Sequence, residues 1–309
     1  MSEISKESDG QSVQNSSTSV MRELADDFMS LTKARLSILV VFTTAFGYLV
    51  ATKVSGNFSW MIFIHTIFGT VLAAFGAAVF NQLMEVDADA KMKRTSNRPL
   101  PSKRLPRGLA FVIGWLFSAF GIIHLMLKTE PIAGAAAAAT LVVYLFIYTP
   151  MKRYSSFNTI VGAVSGALPP LIGWAAGGGS MLSIGAAFLF ALLFFWQLPH
   201  FAAINWMYRE EYERGGFVMW SNQDVSGKKT AKIAVFFSIC VVAVGVVFGF
   251  FSIMATWFAV AGGLLGFAML WLALKFLKTT ERKDARVLFF YTLLYLPAAM
   301  VVSYLAWRS

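Results

Sequence analysis

Between residues 81 and 107 the chain gathers groups that bind hard cations and phosphates. Asn81, Glu85 and Asp89 are spaced four apart. On a helix each four-residue step turns by about 40°, so these three oxygen-bearing side chains share one stripe while Asp87 points elsewhere. Such a stripe suits Mg2+, which takes oxygen ligands and commonly shares them with substrate phosphates. Lys91, Lys93, Arg94 and Arg98 follow at once. They would be out of place beside a simple magnesium store but sensible beside a diphosphate. The plainer alternative is a solvated helix end with Glu–Lys pairs. Asn81 argues against it, because a polar group inside an apolar run is costly unless it has a task.

A second polar segment is introduced by Trp196-Gln197-Leu198-Pro199-His200-Phe201 and continues through Arg209, Glu210 and Glu211 to Gly215-Gly216. Pro199 is expected to kink its helix and free a backbone carbonyl. Gln197 and His200 are expected on one face, roughly 10 Å inside the helix end. His200 alone among the three histidines shares the depth of the acidic stripe. His65 and His124 fall near the opposite helix ends and read as structural. In a third, short segment, Lys152 and Arg153 could neutralise phosphate or simply set membrane orientation. Pro169-Pro170 marks a kink, and the Gly- and Ala-rich stretches suggest close helix packing.

These segments hang on apolar runs. Of the 309 residues 57% are hydrophobic and 14% charged, against about 25% charged in soluble domains. The runs predict an all-α integral membrane fold with nine spans at 36–53, 60–84, 108–128, 131–149, 158–176, 181–207, 230–252, 256–278 and 287–307. With an N-terminus in the cytoplasm, 23 of the 26 basic residues fall on the inner side and only Lys53, Lys128 and Arg308 on the outer, a strong positive-inside pattern. The net charge of +10 therefore serves orientation and anionic substrate, and nucleic acid is not expected as a partner. Residues 1–30 are expected to be a disordered cytoplasmic tail, with 31–309 forming the membrane domain. That tail lacks an apolar core and is acidic, so neither a secretory signal nor a transit peptide is expected there. The single cysteine, Cys240, allows no disulfide within the chain.

Taken together, Asn81-x3-Glu85-x3-Asp89-x2-Met92-x-Arg94-Thr95-x-Asn97-Arg98-Pro99, Tyr148-Thr149-Pro150-x-Lys152-Arg153, Asn158-Thr159 and Leu168-Pro169-Pro170-Leu171-Ile172-Gly173-Trp174 resemble the UbiA-type intramembrane prenyltransferases. The segment Trp196-Gln197-x-Pro199-His200-Phe201 is similar to the haem-farnesylating branch of that family rather than to quinone-type members. The resemblance runs from about Thr32 to the end of the chain. It implies nine helices around a central cavity and farnesyl transfer from farnesyl diphosphate to a vinyl group of haem B, giving haem O for terminal oxidases. It further implies Mg2+ held by Asn81, Glu85, Asp89 and Glu211, diphosphate bound by Arg94, Arg98, Lys152, Arg153 and Arg209, and haem faced by His200 and Gln197. Glu85 and Glu211 stand where the family usually has Asp. A multi-pass protein of a bacterial inner membrane is implied, with haem A synthase or oxidase-assembly proteins as downstream partners. An aromatic or quinone precursor is the alternative acceptor. A transporter is the alternative class, disfavoured because the outer half offers few ionisable groups for a continuous relay.

Overall fold

The computed structural model describes residues 21–308, and the tail expected at 1–20 lies outside them. Residues 21–31 are helical (α1), which corrects the expectation of a disordered stretch reaching residue 30. Met21, Leu24, Phe28 and Leu31 recur at three- and four-residue spacing, an apolar stripe concealed by polar neighbours. Phe28 meets Phe75 and Phe117 edge-on at 5.8 and 6.4 Å. Leu31 is buried, and Asp27 pairs with Arg104 at 2.6 Å.

Among the described residues nine helices are long and apolar enough to cross a bilayer: α2 (Ala34–Ser55), α3 (Trp60–Asp89), α4 (Arg107–Lys128), α5 (Pro131–Met151), α6 (Asn158–Ala176), α7 (Ile184–Met207), α9 (Lys228–Phe250), α10 (Trp257–Thr279) and α11 (Arg282–Ala306). A short helix, α8 (Arg209–Arg214), follows α7. All nine expected spans are present. The differences are at the ends: α3 runs on to Asp89, α7 starts at Ile184, and α11 starts at Arg282. Trp115, Leu127, Phe146 and Trp271 project outward, as a lipid-facing surface requires.

The two halves of the bundle pack differently. Helices α7, α9, α10 and α11 close around bulky side chains including Phe188, Leu193, Met269 and Phe276. In the first half, α3 and α5 turn alanines inward, and a cavity of about 310 Å3 opens between α2, α3, α5, α6 and α7. Below it Tyr48, Leu125, Ala133 and Ile172 form a plug. Helices α2 and α6 touch backbone to backbone: a Cβ on Gly173 would lie 1.8 Å from the Thr44 carbonyl oxygen, so only glycine fits there. The expected break at Pro169-Pro170 divides α6, which is helical over Asn158–Ala167 and again over Pro169–Ala176. The Thr44 hydroxyl donates to the Pro169 carbonyl at 3.0 Å.

In α5 the segment Val143–Tyr148 is a π-helix. Pro150 explains it: its ring excludes the ordinary helical bond to the carbonyl four residues back, and the chain accommodates by widening. The Thr149 hydroxyl donates to the Tyr144 carbonyl at 2.8 Å. Tyr144 and Tyr148 stack at 5.6 Å, and both line the cavity.

Candidate active site

Because α3 continues past residue 84, Asn81, Glu85 and Asp89 do share one stripe, and all three are buried. Asp87, off that stripe, is exposed and pairs with Arg107 at 3.2 Å. Burying carboxylates demands compensation, and each polar member of the stripe has a cationic partner from another segment. Lys152 donates to Glu85 at 2.8 Å. Arg98 donates to Asp89 at 2.7 Å. The Lys33 ammonium donates to the Asn81 amide oxygen, while the Asn81 amide nitrogen donates to the Thr149 hydroxyl at 3.0 Å. The π-turn in α5 thereby orients a side chain on α3.

Lys33 was not among the residues expected at the site; its sequence position gave only an inner-side charge. It occupies a left-handed backbone conformation (φ 46°, ψ 47°) just ahead of α2, sparsely populated by residues other than glycine, asparagine and aspartate. That turn aims its side chain across the mouth of the cavity, which it lines. Burial pulls its pKa down to about 8 against the opposing pull of Glu85. Burial also works against the Lys152 ammonium, but Glu85, Tyr148 and Tyr144 outweigh it and hold this group charged above its ordinary range. Lys152 also lies over the Tyr148 ring at 4.5 Å.

The second polar segment reaches the first through Glu211, whose carboxylate accepts from the Lys93 backbone N–H at 3.0 Å and also pairs with Arg214. Arg94 lies over Tyr212 at 4.7 Å and Tyr208 at 5.1 Å, fastening the first loop to the second by cation–π contacts. Arg209 stacks instead on Trp206 at 4.2 Å. Arg153 is exposed and reaches only the Met84 carbonyl, at 3.5 Å.

Gln197 and His200 do not share a face as expected. Three residues apart they differ by about 60° around a helix, enough to send them to different neighbours. Gln197 lines the cavity and donates to the Ala163 carbonyl at 2.9 Å. His200 turns toward α11, with Nδ1 2.8 Å from the Thr292 hydroxyl and its ring stacked on Phe289 at 4.8 Å. At the far end of the bundle His65 and His124 hydrogen-bond each other at 3.1 Å, in keeping with their structural reading.

Among the described residues no group of three or more His, Cys, Asp or Glu could hold a metal ion. The oxygen donors on α3 are matched instead by ammonium and guanidinium groups. Their chemistry nevertheless fits a hard cation: two carboxylates and an amide oxygen, with no sulfur or imidazole. The charges fit as well. Lys33, Lys152 and Arg98 against Glu85 and Asp89 leave one positive charge, and a magnesium-bound diphosphate monoester carries a net charge of about minus one. The apolar cavity beside the stripe suits a hydrocarbon tail on that diphosphate.

Comparison with known proteins agrees with this chemistry. Residues 40–294 match the model of the UbiA prenyltransferase family. A protoheme IX farnesyltransferase of Opitutus terrae is 38% identical over 275 residues, 89% of this chain and 92% of that protein. The fold is similar to a digeranylgeranylglyceryl phosphate synthase structure at a TM-score of 0.76 and 14% identity, over 92% of this chain and 98% of that one. It is also similar to a UbiA homologue from Archaeoglobus fulgidus bound to GPP and Mg2+, with a TM-score of 0.60 and 13% identity over 89% and 99% of the two chains.

Proposed function

The chain belongs to the UbiA prenyltransferase family, and from that premise we infer that it transfers the farnesyl group of farnesyl diphosphate to a vinyl group of haem B, forming haem O. The observation that carries this reading is the buried stripe of Asn81, Glu85 and Asp89, ringed by Lys33, Lys152 and Arg98, at the mouth of an apolar cavity of about 310 Å3. The acceptor follows from the farnesyltransferase relative, whose likeness spans most of both chains.

In the reaction the C1–O bond of farnesyl diphosphate breaks and pyrophosphate leaves with the bonding pair. The terminal vinyl carbon of haem bonds to C1. Water then adds to the cation next to the porphyrin ring and loses a proton, leaving a hydroxyethylfarnesyl group. Asn81, Glu85 and Asp89, with Glu211 from the second loop, would hold Mg2+, which supplies Lewis-acid stabilisation of the departing diphosphate. Lys33, Lys152 and Arg98 answer the charge that grows on the leaving oxygens. Arg94 holds the first loop against the second over this charge cluster, and Arg153 and Arg209 add positive potential at the rim. The alanine and tyrosine walls hold the farnesyl chain and keep water from the allylic cation until C–C bond formation. The basic end of the bundle faces the cytoplasm of a bacterial inner membrane.

Mass spectrometry of haems extracted from cells expressing this chain tests the reading. Haem O is expected with the wild type, and haem B alone with Asp89→Ala at equal protein level. Prenylated 4-hydroxybenzoate with no haem O would overturn the choice of acceptor.

A further inference from the structure

Two connected hollows lie at the basic end, and His200 backs onto them rather than onto the farnesyl cavity. One, of about 430 Å3, is walled by Met207, Tyr208, Arg282, Arg286, Phe289 and Phe290. The other, of about 480 Å3, shares Met207, Tyr208 and Arg282 and runs on to Lys93, Arg94 and Glu211 on the first and second loops. Both volumes fall within the ~300–1,000 Å3 of small-molecule sites. Their charges are unbalanced. Arg282 is paired with Glu210 at 2.5 Å and Arg214 with Glu211, whereas Arg286 has no ion-pair partner among the described residues. The wall beneath is aromatic and fixed: Phe289 is stacked on His200, which is held by Thr292.

We propose that this groove between α7 and α11 is the acceptor site, seating a flat apolar macrocycle with its carboxylate edge at Arg286, the cation there without an ion-pair partner among the described residues. The inference rests on the haem reading above and adds residues to it. A porphyrin dicarboxylate needs an apolar face for its ring and a cation for its carboxylate edge, and the hollow of Met207, Phe289, Phe290 and Arg286 offers both. Met207, Phe289 and Phe290 supply the face. Guanidinium groups supply the bidentate geometry that carboxylates favour. With the propionate edge anchored at Arg286, the vinyl-bearing edge is directed along the groove toward Arg94 and Glu211, where the two loops meet. His200 acts through Phe289 as a positioning residue and does not ligate the iron. Anionic phospholipid would meet the same guanidinium chemistry, so the bilayer composition is part of the test.

The test uses the full chain in nanodiscs of zwitterionic lipid, with haem B and its dimethyl ester as acceptors. For the wild type, the KM for the ester is expected to exceed that for haem B by about tenfold, the scale of one charge-assisted hydrogen bond. Arg286→Glu should raise the KM for haem B by a similar factor and no longer distinguish acid from ester. It should weaken haem binding measured by tryptophan quenching without farnesyl diphosphate present, and leave the KM for farnesyl diphosphate unchanged. An Arg286→Glu enzyme that still separates acid from ester, or one whose defect is seen only with anionic lipid, would overturn the groove assignment while leaving the activity intact. A wild type that forms no haem O at all would instead overturn the activity on which the assignment depends.

Discussion

At the scale of single residues, each oxygen donor on α3 already has a cationic partner, and on the proposed reading each cation would turn to a diphosphate when a metal takes its place. Lys33 is the informative member because it pairs with a neutral amide rather than a carboxylate. Removing it strands no buried negative charge, unlike removal of Lys152, which would leave Glu85 uncompensated at a cost of about 3–5 kcal/mol. Lys33→Met should therefore separate binding from folding. The KM for farnesyl diphosphate is expected to rise about tenfold or more, the loss of one charge-assisted contact, while the melting temperature and the KM for haem hold. Steady-state kinetics with each substrate varied in turn, beside a thermal melt, decides it. An unchanged KM for farnesyl diphosphate would remove Lys33 from the diphosphate site.

At the scale of elements, α3 does two jobs with one periodicity: its last turns carry the stripe and its middle carries the cavity wall. Asn81 and Thr70 are eleven residues apart, about 16 Å along the axis, with Ala73, Ala74, Ala77 and Ala78 facing the cavity between them. Thr70, with a buried hydroxyl that has no partner, lies at the end away from Asn81. Ala73→Phe fills that end, and overpacking costs about 1–3 kcal/mol. Farnesyl diphosphate should lose about tenfold or more in kcat/KM, and geranyl diphosphate, one isoprene shorter, much less. Equal losses for both would mean that the chain does not extend along α3. The stripe, the nine spans and the break in α6 were legible because each depends on local spacing or on proline. The π-turn in α5 was not, since an apolar run such as 131–149 reads as a span whichever hydrogen bonds close it. Nor was the divergence of Gln197 and His200, because a rotation of about 60° changes a residue's neighbour without changing its helix. Helix α1 was hidden by composition: four well-spaced apolar residues lie among Ser, Asp and Glu, and only Phe28 and Leu31 of them pack against the bundle. The cation partners Lys33–Asn81 and Lys152–Glu85 are tertiary facts, separated by 48 and 67 residues.

For the whole molecule, the basic residues that argue for orientation also hold one end of the bundle together. Asp27 with Arg104, Lys33 with Asn81, Lys152 with Glu85, the Lys93 backbone with Glu211, and Arg282 with Glu210 connect all five inner segments to that end. The opposite end has little comparable: Lys53 caps the Tyr304 carbonyl at 2.6 Å, and the α9–α10 turn meets the chain terminus through Met254 and Trp307. Positive charge resists translocation, so the end carrying 23 of the 26 basic residues should stay in the cytoplasm. Cysteine labelling checks this directly, because Cys240 is the single native thiol and Cys240→Ser gives a thiol-free background. Ser102→Cys, exposed in the loop before α4, should react with a membrane-impermeant maleimide only after cells are permeabilised. Asn57→Cys, exposed between α2 and α3, should react in intact cells. The two residues lie in the connections on either side of α3, so one pair of measurements orients the bundle and tells to which side the proposed site opens. Labelling of Ser102→Cys in intact cells would invert that orientation, with 23 basic residues translocated against the charge bias.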